Sequence, residues 1–366
     1  VDTNQEELPV KHGMTLAELA QTVRAQQNMK RDFYVPTPAM TCLEDGRILL
    51  SKNDNPLLLH PTLPAARQMG EHCGIPAKYF DRMKEEAPEL LAQNLNYWFE
   101  RKPSTQMVRT LGPNLRAFLG KRYRPLDNAD CVAATIPVIE QYGGEVQSCA
   151  LTETKLYLKV VIPGREVELK APGVEWGKGH NPIHVLRPGL VISNSETGHG
   201  SVSIQPGVHE HHCSNLMVMS ESAMRKLHVQ RGTTDLEAIN EYITDDTRRQ
   251  QDTAFWSTVR DLVKAALDGR IFGSHVEQIR STLGQTIPKP QTTVEVVAAK
   301  YGLTNSERES VLDRLIESGE PTRFGLQAAI TRMAQEVESY DRSTELERLG
   351  GTIIELPKTE WEALAA

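Results

Sequence analysis

Apolar residues recur at helical spacing in MTLAELAQTVRAQQNMKRD, where Leu16, Leu19 and Val23 share a face and Thr15 stands as a cap. Past Val35-Pro36-Thr37-Pro38 the period shortens to two. AMTCLEDGRILLS predicts two short strands around Asp45-Gly46. HPTLPAARQMGEHCG and IPAKYFDRMKEEAPELLAQNLNYWFER then return to helix, punctuated by Gly74 and Pro76, so residues 1–102 read as a mainly helical lobe.

The character changes near Pro103. QMVRTLG-PN-LRAFLGK alternates about Gly112-Pro113-Asn114, which predicts a hairpin. Asp127 or Asn128 can cap a helix to about Gln141, closed by Gly143-Gly144. EVQSCALTETKLYLKVVIP predicts a second hairpin, and REVELKAP, HVLRPGLVISNS and GSVSIQPGVHEHHC read as further strands. Beyond Cys213 helical spacing resumes at Leu236, Ile239 and Ile243, then at Phe255, Val259, Leu262 and Val263. It continues through HVEQIRSTLG, TVEVVAAKYG, NSERESVLDRLIESG and TRFGLQAAITRMAQEVESY. The expectation is an α+β protein. A central antiparallel sheet over residues 103–232, crossed by one helix, is flanked by the N-terminal lobe and by a helical region from 233 to 366, with Pro288-Lys289-Pro290 as linker.

Charge alters the picture. The chain of 366 residues carries a net −7, yet Arg101, Lys102, Arg109, Arg116, Lys121, Arg122 and Arg124 fall within residues 101–125 with no carboxylate among them. An acidic excess gathers after Ser306. Cys42, Cys73, Cys131, Cys149 and Cys213 are widely spaced and odd in number, as expected of reduced thiols in the cytoplasm. No apolar run approaches the ~20 residues of a membrane helix, and VDTNQEELPVKHG is too acidic for a signal or transit peptide.

The basic stretch is the first candidate site. Arg109 and Arg116 flank the turn, Lys121, Arg122 and Arg124 lead into a helix N-terminus suited to phosphate, and Tyr123 is placed to stack on a base. Lys155 and Lys159 on the next hairpin extend the path. The alternatives are that these cations pair with the acidic C-terminal helices, or lie solvated on the surface. A second candidate is the strand at His209, His211 and Cys213, which alternation puts on one face. Cys213 sits ~13 Å from His209, too far for one tetrahedral zinc, so His180, His184 or His199 would have to complete it. Third is ISNSETGHG, where Glu196 suits Mg²⁺ or acid–base work, or is part of a turn needing Gly198 and Gly200. GPNLRAFLGKR is no phosphate-binding loop, since seven residues separate its glycines and no Ser or Thr follows Lys121. GxGxxG, HExxH and GxSxG are likewise missing, which removes support for dinucleotide, zincin and serine-hydrolase chemistry.

VRTLGPNLRAFLGKRYRPLDN, SCALTETKLYLKVV, ISNSETGHGSVSI, CSNLMV and GLQAAITRMAQEVESYDRSTELERLGG together resemble a phage and plasmid family, the domain of unknown function 932. The resemblance spans nearly the whole chain and implies a mobile-element gene acting inside a bacterial cell; it implies no reaction. The chain departs from the family pattern at His209-Glu210-His211-His212, where apolar and arginine residues are expected. The leading expectation is a nucleic-acid-binding protein of DNA metabolism, with single-stranded DNA as partner, acting as an annealing or recombination accessory. Hairpin, helix and second hairpin follow one another as in ring-forming annealing proteins, which suggests a homo-oligomer, with no cofactor and no membrane. Two other classes stand beside it: a metal-dependent hydrolase or nuclease using His209, His211 and Glu196, and a non-enzymatic structural or host-modulating phage protein.

Overall fold

Thr15 caps the first helix, α1 (Leu16–Met29), in a reciprocal box: its hydroxyl accepts from the Glu18 N–H, and the Glu18 carboxylate accepts from the Thr15 N–H. The computed structural model describes residues 13–51, 56–123, 125–170, 183–210, 215–219 and 244–365. Chain extension at Lys30 opens β1 (Lys30–Pro36), followed by β2 (Met40–Cys42) and β3 (Ile48–Leu50) about Gly46, whose φ of 83° suits a glycine. Next come β4 (Leu57–Pro61), α2 (Leu63–His72), α3 (Ala77–Glu86), α4 (Pro88–Arg101) and the hairpin β5 (Thr105–Leu111) with β6 (Asn114–Gly120). These strands form one sheet in the order β1-β5-β6-β4-β3-β2, antiparallel except for β4 beside β6. Val35, Leu59, Val108, Leu115 and Phe118 pack with Met69, Phe80, Leu95 and Phe99 of the three helices.

A second, antiparallel sheet follows α5 (Asn128–Gln141). It comprises β7 (Glu145–Leu151), β8 (Leu156–Val161), β9 (Val167–Lys170), β10 (Ile183–Asn194), β11 (Ser203–Glu210) and β12 (Asn215–Val218). Its order is β12-β11-β10-β8-β7, with β9 also on β10. Alternation along β8 splits its side chains between two layers. Leu156, Leu158 and Val160 join α1, α5 and α6 (Asp245–Ala266), while Tyr157 meets Tyr340 of α11 (Tyr340–Glu355). Each fully buried leucine here contributes ~1.5–3 kcal/mol. On α11's side, α7 (Gly269–Thr282) and α10 (Arg323–Ala334) cover Leu186, Val208 and Met217. Helices α8 (Pro290–Tyr301), α9 (Asn305–Glu317) and α12 (Lys358–Ala365) share a further core with α10 and α11.

The chain is α+β, and the expected hairpins lie where the turns put them. The single central sheet is corrected to two. β5 bonds to β1, pairing Asp32 with Arg109, and β6 bonds to β4, so the basic hairpin belongs with strands from the first sixty residues. KRDFYVP carries no alternation strong enough to mark β1. Its partner lies some seventy residues away, beyond the reach of local pattern. The stretch read as one helix to Tyr340 breaks instead after Ala334 and restarts at Ser339, whose hydroxyl accepts from the Arg342 N–H. The presumed linker is tied down: Pro290 opens α8, and the Ile287 N–H donates to the Pro321 carbonyl at 2.7 Å. The helix expected at Leu236–Ile243 lies outside the described residues.

Candidate nucleic-acid interface

Strand alternation on β5 turns Arg109 away from the first core and toward the second sheet, where it is 3 % exposed. Its Nε donates to Asp32 at 2.9 Å, one terminal nitrogen to Asp127 and the other to the Glu196 carbonyl, both also at 2.9 Å. Burial alone would loosen its proton, but Asp32 and then Asp127 more than reverse that. Arg116, on β6, reaches the Glu196 carboxylate at 3.1 Å. Lys30 bridges Asp127 at 2.7 Å and Glu196 at 3.4 Å. The Glu196 oxygen that Lys30 reaches also accepts from the Asn128 N–H at 2.7 Å. The helix N-terminus expected to seat a phosphate therefore already holds an internal carboxylate.

Asp127 makes no side-chain cap, because its carboxylate is engaged by Lys30 and Arg109. Burial works against ionising it, and those two cations outweigh the burial, leaving its pKa below the usual aspartate range. Beside it, Asp127, Asp130 and Asp252 line a groove of about 300 Å³ with Trp256. Burial first, and then Asp127, push Asp130 upward. Such a groove repels phosphate.

The turn after β10 completes the joint between the sheets. Ser195 Oγ accepts from the His199 N–H at 2.9 Å and donates to the Thr154 carbonyl at 2.8 Å, with left-handed Gly198 and Gly200 allowing the bend. Gln68 of α2 donates to the Thr197 carbonyl and accepts from the Phe118 N–H. Tyr123, half-buried, donates to the Ser195 carbonyl at 3.2 Å, and burial raises its pKa. Lys155 is half-buried and lowers the pKa of His199, though burial of that ring counts for more.

Several expected phosphate ligands are thus corrected to internal partners. Arg109 and Arg116 hold the inter-sheet joint. Lys159 is buried on β8, 2.7 Å from Glu347 of α11 and over the Tyr340 ring. Tyr123 has its hydroxyl turned inward, away from a stacking role. Arg124 lies outside the described residues. Lys121 and Arg122 are exposed. They leave the end of the hairpin where Gln106 pairs with Gly120, the same end that α4 enters. There Arg101 and Lys102 are exposed too, stacked one helical turn along on Tyr97 (5.4 Å) and Trp98 (4.7 Å). Tyr97 is 52 % exposed. The charge count takes in Arg101 and Lys102, and the signal that places the rings beside them is the i, i+4 spacing of a helix, Tyr97 with Arg101 and Trp98 with Lys102.

The hydrolase constellation is not assembled. Ser193 pairs with Ser203 at one end of β10 and β11, and Arg187 pairs with His209 at the other. His209 therefore lies ~20 Å along the strand from the Glu196 turn. It is buried, with Nε2 3.0 Å from the Gln147 amide. His211 lies outside the described residues. Among the described residues no group of three or more His, Cys, Asp or Glu is arranged to hold a metal, and no helix is long and apolar enough to cross a membrane. Comparison with family models, curated proteins and solved structures gives no match for this chain.

Proposed function

We propose that the chain is a nucleic-acid-binding protein of mobile-element DNA metabolism, a single-strand annealing or recombination accessory. In this reading a strand is contacted at the open end of the β5–β6 hairpin. The observation that supports it is that exposed Arg101, Lys102, Lys121 and Arg122 all fall at the sheet end remote from the β5–β6 turn, where Arg101 lies over the exposed Tyr97 ring. Cations displace counterions from phosphate, and an exposed ring gives a base a stacking face. The resemblance to the domain of unknown function 932 supports the mobile-element setting. One basic end on a chain of net −7 is a small patch. A homo-oligomer would repeat it into a track and raise its effective concentration.

The test is fluorescence anisotropy with a single-stranded oligonucleotide across salt concentrations. Affinity should fall steeply with salt, and each contact removed should flatten the log–log slope by about 0.7. Reversing Arg101, Lys121 and Arg122 to Glu should weaken binding by orders of magnitude and leave folding intact, since exposed charges contribute ~1 kcal/mol or less. Size-exclusion chromatography of the same variant reports on assembly. Wild-type protein that ignores DNA and RNA at low salt would end this reading.

A further inference from the structure

His184 of β10 lies between two glutamates in the buried space where the second sheet meets the C-terminal helices. Its Nδ1 is 2.7 Å from Oε1 of Glu210, on β11, and its Nε2 faces Oε2 of Glu320 at 3.9 Å, in the connection between α9 and α10. The histidine is 7 % exposed and its ring packs 4.5 Å from that of Phe324, centre to centre. Among the described residues Nε2 has no hydrogen-bond partner. On the remaining side, His184 is opposite the apolar Leu169 of β9. The nearest cation along β10, Arg187, is turned to Glu166 at 2.9 Å. Among the described residues, Glu210 and Glu320 are therefore the charged groups that face the ring.

A neutral imidazole cannot satisfy both. With its proton on Nδ1 it donates to Glu210 and presents a lone pair to the Glu320 carboxylate; with the proton on Nε2, the clash moves to Glu210 at 2.7 Å. Only a second proton on this His–Glu set gives each side a donor. We infer that Glu210, His184 and Glu320 form a proton-dependent clasp, which holds the α9–α10 connection against β10 and β11 when the additional proton is bound and loosens it when that proton leaves.

The rest of the connection would transmit such a change. Thr322 donates to Glu320 at 3.3 Å and bridges to Thr286. Arg323, next in the chain, is buried and donates to the carbonyls of Ile353, Ile354 and Leu356 at the end of α11. Two titrations agree in sign. Burial lowers His184, but Glu210 and then Glu320 outweigh it, so its pKa is raised; Glu320 is raised chiefly by burial. Groups raised on folding stabilise the fold at low pH and lose that contribution as pH climbs through the folded pKa. The clasp is accordingly closed below the ordinary histidine range and weakens as pH climbs through the raised pKa of the set.

The experiment is hydrogen exchange by mass spectrometry on the full chain between pH 5.5 and 9, corrected for intrinsic exchange, following the peptide Ser318–Phe324. Protection in wild type should fall by a factor of ten for each pKa unit that folding adds to the clasp. Peptides from α3 should keep constant protection. Glu320→Gln, whose amide donates to a neutral Nε2, should hold protection level across the range, and His184→Gln should abolish the pH dependence. Should both variants unfold, ring-carbon NMR of histidine-labelled wild type replaces them, with one buried ring titrating above the ordinary histidine value. Constant protection in wild type, a pH dependence that survives Glu320→Gln, or no such ring would overturn the clasp.

Discussion

Glu196 shows how one side chain can decide what its neighbours are available to do. Only 5 % exposed, it accepts from Arg116, Lys30 and the Asn128 N–H, and its own carbonyl accepts from Arg109. Removing it strands Arg116 and a helix N–H and leaves Lys30 with Asp127 alone among the described residues, and breaking a buried pair from one side costs about 3–5 kcal/mol. Glu196→Ala should lose that much in urea unfolding, and a loss below about 1 kcal/mol would contradict the joint described here. Lys159 and Glu347 follow the same logic, both buried and 2.7 Å apart. Lys159→Met alone leaves a buried carboxylate held, among the described residues, only by the Gln335 amide and should destabilise by a similar amount, whereas Lys159→Met with Glu347→Leu should recover most of it. A double-mutant cycle measures the difference. Arg109 and Lys159 were legible in the sequence as charges. That each is buried was not, because a carboxylate partner supplied from far along the chain leaves no local trace.

Helix propensity and packing make opposed claims on the glycines of the helical elements. Gly273, in α7, is exposed, and an added Cβ would meet nothing within 4 Å. Gly273→Ala should therefore gain about 0.5–1 kcal/mol, the usual helix-interior difference. Gly351, in α11, lies directly under β12, and a Cβ there would collide with the Val218 carbonyl oxygen. Gly351→Ala should cost about 1–3 kcal/mol despite the same local preference. Chemical denaturation of the two variants side by side checks both signs. Equal gains would mean that α11 does not approach the sheet so closely. Two caps follow local rules fully, since Thr15 and Thr304 each close a box with a Glu three residues on, and both are visible in the sequence. Close approach is decided between elements and is not.

Across the whole molecule the ionisable groups pull stability in two directions with pH. Asp127 is lowered because Lys30 and Arg109 outweigh its burial, and Glu307 is lowered first by Arg342 of α11. Groups lowered on folding contribute above the ordinary carboxylate range and lose that contribution as pH falls through their lowered folded pKa. His184 and Glu320 act with the opposite sign at the alkaline end. Thermal melts from pH 3 to 9 should pass through a maximum between about pH 5 and 7. A Tm that stays level to pH 3 would contradict the paired carboxylates. The buried thiols add no redox lever: burial raises Cys131 to about 12 and Cys42, Cys73 and Cys149 to about 11, which keeps them protonated.

Turns, caps and periodicity settled the α+β class, the Gly112 hairpin and the α5 span, because each depends on residues within about one turn or one strand of each other. The concentration of cations in residues 101–125 was likewise written in the chain. Tertiary structure alone decided which of them face solvent. Pairing the free edge of β5 with β1, rather than with a strand of the second sheet, turned Arg109 onto Asp32, Asp127 and the Glu196 carbonyl. The same fold left Lys121 and Arg122 at the hairpin's open end, the end where Arg101 and Lys102 lead into β5. Only tertiary structure, too, brought His184 between Glu210 and Glu320, since their separations of 26 and 136 residues are closed by sheet register and helix docking. Burying a charge is costly unless a partner arrives with it, and a partner that distant is specified by the whole fold.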